Sequence, residues 1–97
     1  MANEPTRFSI GDQVHIRDAY PSGHIRTPYY IRGKSGVIAD VIAAFDNPEE
    51  RAKGNYDEPQ QPLYRVRFMQ TDAWPDYSGS PEDTIDIEIF QHWLEAI

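Results

Sequence analysis

Eight prolines and six glycines interrupt a chain of 97 residues, and this punctuation limits its fold more than any other feature does. Proline removes a helix hydrogen bond and collides with the preceding turn, and glycine is costly inside a helix. A helical bundle is therefore excluded. Between the interruptions, apolar residues recur with a period of two, which is the signature of half-buried strands. "FSIGDQVHIRD" alternates at Ile10, Val14 and Ile16, with "IGD" as a turn into the strand. "GVIADVIAAF" is β-branched and apolar and reads as a second strand, although a short helix also fits its end. "LYRVRFM" sets Tyr64, Val66 and Phe68 against Arg65 and Arg67, and "TIDIEI" sets Ile85, Ile87 and Ile89 against Asp86 and Glu88. "FQHWLEAI" closes the chain as a short helix or a last strand.

The connections are long. Residues 19–36 form a loop marked by Pro21, Gly23, Pro28, Gly33 and Gly36. Residues 46–62 form a polar insertion in which Asn47 caps one helical turn, Pro48 takes its first position and Gly54 ends it. "TDAWPDYSGSPED" is a further turn-rich loop. The expected fold is all-β: a small closed barrel with long loops and at most one or two short helical turns, closure protecting strand edges that an open sheet would expose. Residues 1–7 are read as a flexible N-terminal arm and residues 8–97 as the barrel domain.

Composition excludes several functions. Cysteine is absent, which rules out disulfides, a thiol nucleophile and thiolate metal sites within this chain. His15, His24 and His92 have no metal-ligand spacing; His15 is expected on a solvated strand face, His92 packed beside Trp93, and no metal bound by this chain alone. The paired acids Glu49-Glu50 and Glu82-Asp83, like Asp86 and Glu88, read as solvated surface. The serines have no nucleophile-elbow context. No apolar run approaches the roughly 18 residues of a membrane span, and "MANEPTRF" lacks a signal-peptide core, so a cytoplasmic location is the default. A formal net charge of -7 argues against nucleic-acid binding, because phosphate backbones repel such a chain.

That charge is unevenly placed: residues 1–39 carry +2 and residues 40–97 carry -9. No acid occurs between Asp18 and Asp40, yet the segment "GHIRTPYYIRGKSG" holds Arg26, Arg32, Lys34 and His24 among tyrosines and prolines. Two readings stand. The cations are ordinary exposed loop residues, or a guanidinium here recognises an oxyanion through its planar fork of N–H donors.

"F-x-x-GD-x-V", "P-x-GH-x-R-x-P-x-Y-x-RG-x-x-G-V-I", "P-L-Y-x-V-x-F" and a terminal "WLEAI", in that order, resemble the C-terminal half of nitrile hydratase β subunits. The same motifs resemble the thiocyanate hydrolase α subunit, and the likeness runs from Phe8 to about Ala96. The resemblance implies an SH3-like β-barrel and an active site at a subunit interface. It implies a partner subunit with a Cys-rich motif that holds Co(III), or alternatively Fe(III), through three cysteines and two backbone amides. Two of those cysteines are oxidised to sulfinic and sulfenic acid, and the arginine of "GH-x-R", here Arg26, hydrogen-bonds their oxygens. His24, Tyr30 and Arg32 then shape the loop and the interface. A further subunit, matching the N-terminal half of the β subunit, is expected to bring a second arginine.

By that resemblance the chain is a non-metal-binding small subunit of a heteromeric enzyme that adds water to a C≡N group, not catalytic alone. "DAWPDYS" followed by "DTIDIEI" is closer to thiocyanate hydrolase, whereas "GHIRTP" and "YIRGKSGVI" are closer to nitrile hydratase. The alternatives are an escort protein for the metal subunit that is absent from the mature enzyme, and a barrel that binds RNA or a peptide.

Overall fold

Tyr64, Val66 and Phe68 lie at 0–1% exposure along β3, Gln61–Met69, while Arg65 and Arg67 face outward, so the strict alternation of this segment becomes a half-buried strand. The computed structural model describes residues 5–21, 25, 27–54 and 59–97. Beside β3 runs β4, Thr84–Phe90, in antiparallel register with Val66 opposite Ile87 and Tyr64 opposite Ile89. The outward face of the same pair sets Arg67 opposite Asp86 and Arg65 opposite Glu88, so the two alternations interlock in sign as well as in hydrophobicity.

The other neighbour of β3 is β2, Ser35–Phe45, whose pairing shifts register between Ile38 and Asp40 and again between Val41 and Ala43. Such irregularities bend a strand and let a sheet wrap around its core. β1, Gln13–Ile16, pairs with β2 on one side and with β5, Leu94–Ala96, on the other. The sheet order is thus β4-β3-β2-β1-β5. Its two outer strands are consecutive in the chain, joined by one 3₁₀ turn, Gln91–Trp93. This is the arrangement of a small SH3-like barrel, all-β as the alternating segments require. Val14, Ile16, Ile31, Ile38, Tyr64, Val66, Phe68, Ile89, Trp93 and Leu94 form its core with Phe8.

Several expectations need correction. The first strand begins at Gln13, not at Phe8, and Ile10 is 66% exposed instead of facing the core, because it sits at the Ile10–Gly11 turn where the alternation is broken. The loop over residues 19–36 contains a 3₁₀ turn, Tyr29–Ile31, that buries Ile31. The segment after β3 starts with a short helix, α2, Gln70–Ala73, before it becomes irregular. The chain end is both a 3₁₀ turn and a strand.

The helical turn in the polar insertion forms as α1, Pro48–Ala52; Asn47 accepts from the Glu49 amide at 3.0 Å, Pro48 stands at the start, and Gly54 follows at φ +85°. A positive φ of this kind favours glycine after a helix. In the N-terminal arm, Gln91 anchors what is described: its Oε1 accepts from the Arg7 amide at 2.9 Å, and its Nε2 donates to Pro5 O at 2.8 Å. The buried Tyr64 hydroxyl donates to the same Oε1 at 2.5 Å. Among the described residues no helix is long and apolar enough to cross a membrane.

Candidate functional site at the acid-free loop

His24 and Arg26 lie outside the described residues; their neighbours, with Tyr30 and Arg32, define the site. Ile25 packs against the core and Thr27 is 4% exposed, so the positions on either side of Arg26 are both anchored in the barrel. The anchor of Thr27 is Arg32. Its Nε and Nη2 both donate to Thr27 O, at 3.2 and 2.6 Å, and its Nη1 donates to Ala19 O at 3.2 Å. One planar guanidinium therefore ties Ala19 to Thr27 within the acid-free stretch, a geometry that a lysine ammonium cannot reproduce.

Beneath Arg32 lies Trp93, 1% exposed, whose ring centroid is 4.8 Å from the guanidinium carbon. The Tyr20 ring stands 5.3 Å away. Arg17 also rests against Trp93, at 5.1 Å, and its Nη1 donates to His92 O at 3.2 Å. Aromatic faces attract such cations by their quadrupole without neutralising them. Among the described residues no carboxylate forms an ion pair with Arg17, Arg32 or Lys34. Arg17 and Arg32 thus share the Trp93 ring with no ion-paired carboxylate among the described residues, while the Asp18 side chain stands beside Gly33.

Trp93 is itself fixed. Its indole Nε1 donates to Glu49 Oε2 at 2.8 Å, and the same oxygen meets His92 Nε2 at 2.5 Å. Glu49 was expected as a solvated surface acid; with its side chain only 15% exposed, it instead fastens α1 to the 3₁₀ turn that carries Trp93. His92, expected to pack beside Trp93, pairs with this carboxylate. Tyr30 stacks on Trp74 at 4.5 Å with the rings 22° apart, and the 72% exposed Tyr29 meets Tyr30 edge to face. Of the expected site residues, the structure therefore places Arg32 under the loop and Tyr30 on an aromatic face beside it. Arg17, Glu49 and Trp93 escaped the sequence reading because each joins the site through contacts distant in the chain. Among the described residues no group of three or more His, Cys, Asp or Glu is placed to hold a metal ion.

A small SH3-like barrel that presents a clamped cationic loop is the class that this fold and site define. The sequence profile described as nitrile hydratase beta subunit, C-terminal, matches residues 1–96. This chain belongs to that family. It is 34% identical over 88 residues to the nitrile hydratase subunit beta of Pseudomonas putida, covering 91% of this chain and 40% of the relative. It is 35% identical over 91 residues to the thiocyanate hydrolase subunit alpha of Thiobacillus thioparus, covering 93% of this chain and 71% of the relative. The cobalt-containing nitrile hydratase subunit beta of Pseudonocardia thermophila is 30% identical over 95 residues, covering 98% of this chain and 40% of the relative. Among solved structures, the recombinant apo-enzyme of Thiobacillus thioparus thiocyanate hydrolase superposes with a TM-score of 0.89 at 33% identity, covering 98% of this chain and 79% of that one. The chain spans about two fifths of the length of the nitrile hydratase β subunits that it matches.

Proposed function

We propose that this chain is the non-metal-binding subunit of a heteromeric enzyme of the nitrile hydratase and thiocyanate hydrolase type, which adds water to a C≡N group. The observation that supports this best is the likeness to thiocyanate hydrolase, 33% identity at a TM-score of 0.89 over 98% of the chain. The site is compatible with the same role. It offers unneutralised cations and anchored loop flanks, and a chain without cysteine is suited to facing a metal centre held by another subunit.

In this reading Arg26 donates its parallel N–H groups to the oxygens of the partner's oxidised cysteine ligands. Charge-assisted pairs of this type are short and orient what they bind. The partner's metal, cobalt in the Pseudonocardia thermophila relative and iron as the alternative, supplies the Lewis acidity for attack on the C≡N carbon. A cytoplasmic location and a further partner, matching the part of the β subunits that this chain does not span, belong to the same proposal.

The test is reconstitution with a Cys-rich metal-binding subunit and that further partner. Arg26→Ala should keep the circular dichroism of the barrel and lower kcat by about 10–100-fold, the usual cost of removing a partner to metal ligands. Turnover close to wild type would sink the Arg26 assignment. An active particle that elutes without this chain would favour an escort role instead.

A further inference from the structure

We propose that Trp74, Tyr30 and Tyr29 form a docking ledge for an arginine-bearing segment of another protein chain, with Asp72 and Asp76 as its acidic rim. The proposal goes beyond the reading above and does not depend on which residue faces the metal centre.

Two loops build the ledge. Tyr30, in the 3₁₀ turn Tyr29–Ile31, packs against the core and stacks on Trp74 at 4.5 Å. Tyr29 meets Tyr30 edge to face at 6.3 Å and extends the surface outward. Trp74 is 39% exposed and Tyr29 72%, so this aromatic surface is rooted in the core yet open to solvent. Single exposed apolar residues are ordinary on a protein, whereas contiguous aromatic surface marks a contact.

The loop that carries Trp74 is fixed in advance. The Trp74 amide donates to Gln70 O at 2.9 Å, the Tyr77 amide to Trp74 O at 3.0 Å, and the Gln70 amide to Asp83 O at 2.8 Å. The Tyr77 hydroxyl donates to the Asp83 carboxylate, and its ring lies so close to Gly79 that no Cβ fits there. A surface ordered before binding loses little freedom on docking.

Charge selects the occupant. Asp72 and Asp76 are exposed on either side of Trp74 in the chain, and among the described residues neither joins an ion pair. An apolar partner would cover these carboxylates without neutralising them, which is costly. A second copy of a chain with net charge -7 would bring more acid. A guanidinium meets both demands, since its planar face stacks on an aromatic ring while its N–H edge pairs with a carboxylate. Asp72 also lines an open groove of about 460 Å³ with Val37, Met69 and Thr84, which gives the rest of the segment room to lie.

The test is an NMR titration of the full chain with an acetylated hexa-arginine peptide in about 0.15 M salt, where long-range attraction is screened. The Trp74 indole N–H signal should shift and saturate, while that of Trp93, 1% exposed and bonded to Glu49, should stay in place. Read from the Tyr30 amide, Trp74→Leu should weaken binding by about two- to fivefold, the scale of an exposed cation–π contact. Asp72→Asn with Asp76→Asn should weaken it by about two- to tenfold. Tyr29→Ser, at a largely exposed position, should weaken it with the circular dichroism unchanged. Absence of binding, or binding that leaves the Trp74 signal unmoved, would overturn the ledge. Wild-type affinity in both Trp74→Leu and Tyr29→Ser would do the same, since attraction would then come from net charge alone. Dimerisation of the wild-type chain that Trp74→Leu abolishes would assign the surface to a second copy and equally overturn the proposal.

Discussion

Glu49 owes its character to a tryptophan 44 residues away. In its own neighbourhood it is one of two acids in the first turn of α1, where negative charge suits the helix N-terminus. Taken alone, that is a surface effect of well under 1 kcal/mol. The contact with Trp93 is worth more, because removing it leaves a buried indole N–H without a partner. Glu49→Ala should therefore cost about 1–3 kcal/mol in urea unfolding, with Glu49→Gln, which keeps an acceptor, closer to wild type. An alanine variant within the ±0.5 kcal/mol typical of surface changes would show that the indole is satisfied in some other way.

Among the elements, the pairing of β2 with β3 leaves little room at Gly36. A Cβ on Gly36 would stand 2.8 Å from Val66 Cγ1 and 2.9 Å from Arg67 O. Neither atom is the far end of a flexible chain. Gly36→Ala is expected to cost about 1–3 kcal/mol by overpacking, read as a lower urea midpoint, and a neutral result would mean that β2 slides freely on β3. On the outer face, the Arg67 guanidinium meets both oxygens of Asp86, at 2.8 and 2.9 Å. That hydrogen-bonded pairing holds the Asp86 carboxyl below the ordinary carboxylate range.

The sign of the resulting pH dependence is set by that lowering. A carboxyl whose folded pKa is depressed stabilises the fold above its unfolded value, near 4, and loses the contribution as pH falls through the folded value. Asp86→Asn should accordingly be less stable than wild type near pH 7, and the two melting temperatures should converge as pH falls through the lowered folded value. A gap that persists undiminished in acid would assign the loss to something other than the ionised pair.

For the molecule as a whole, the charge asymmetry and the barrel are parts of one design. The acids sit largely on and beyond β2, while the loop between β1 and β2 keeps its cations unpaired among the described residues. Strand identity was legible in advance wherever alternation was strict, as in β3 and β4, because side-chain direction along an extended backbone is a local property. The Asn47 cap was legible for the same reason. Ile10 was misread because one turn at Gly11 resets the alternation, and periodicity does not show a turn's direction. The likeness to nitrile hydratase β subunits was also legible, since ordered motifs survive in the one-dimensional chain.

What the sequence determined by itself was therefore the all-β class, the family and the acid-free window, each a matter of residue order and spacing. Only the tertiary structure decided how the window is held. Arg32 reaches Ala19 and Thr27 from above a tryptophan in the last turn, and Glu49 fixes that tryptophan from a helix in the β2–β3 connection. Those partners are brought together by burial of a common core, and burial is a property of the whole chain that no short stretch of it contains.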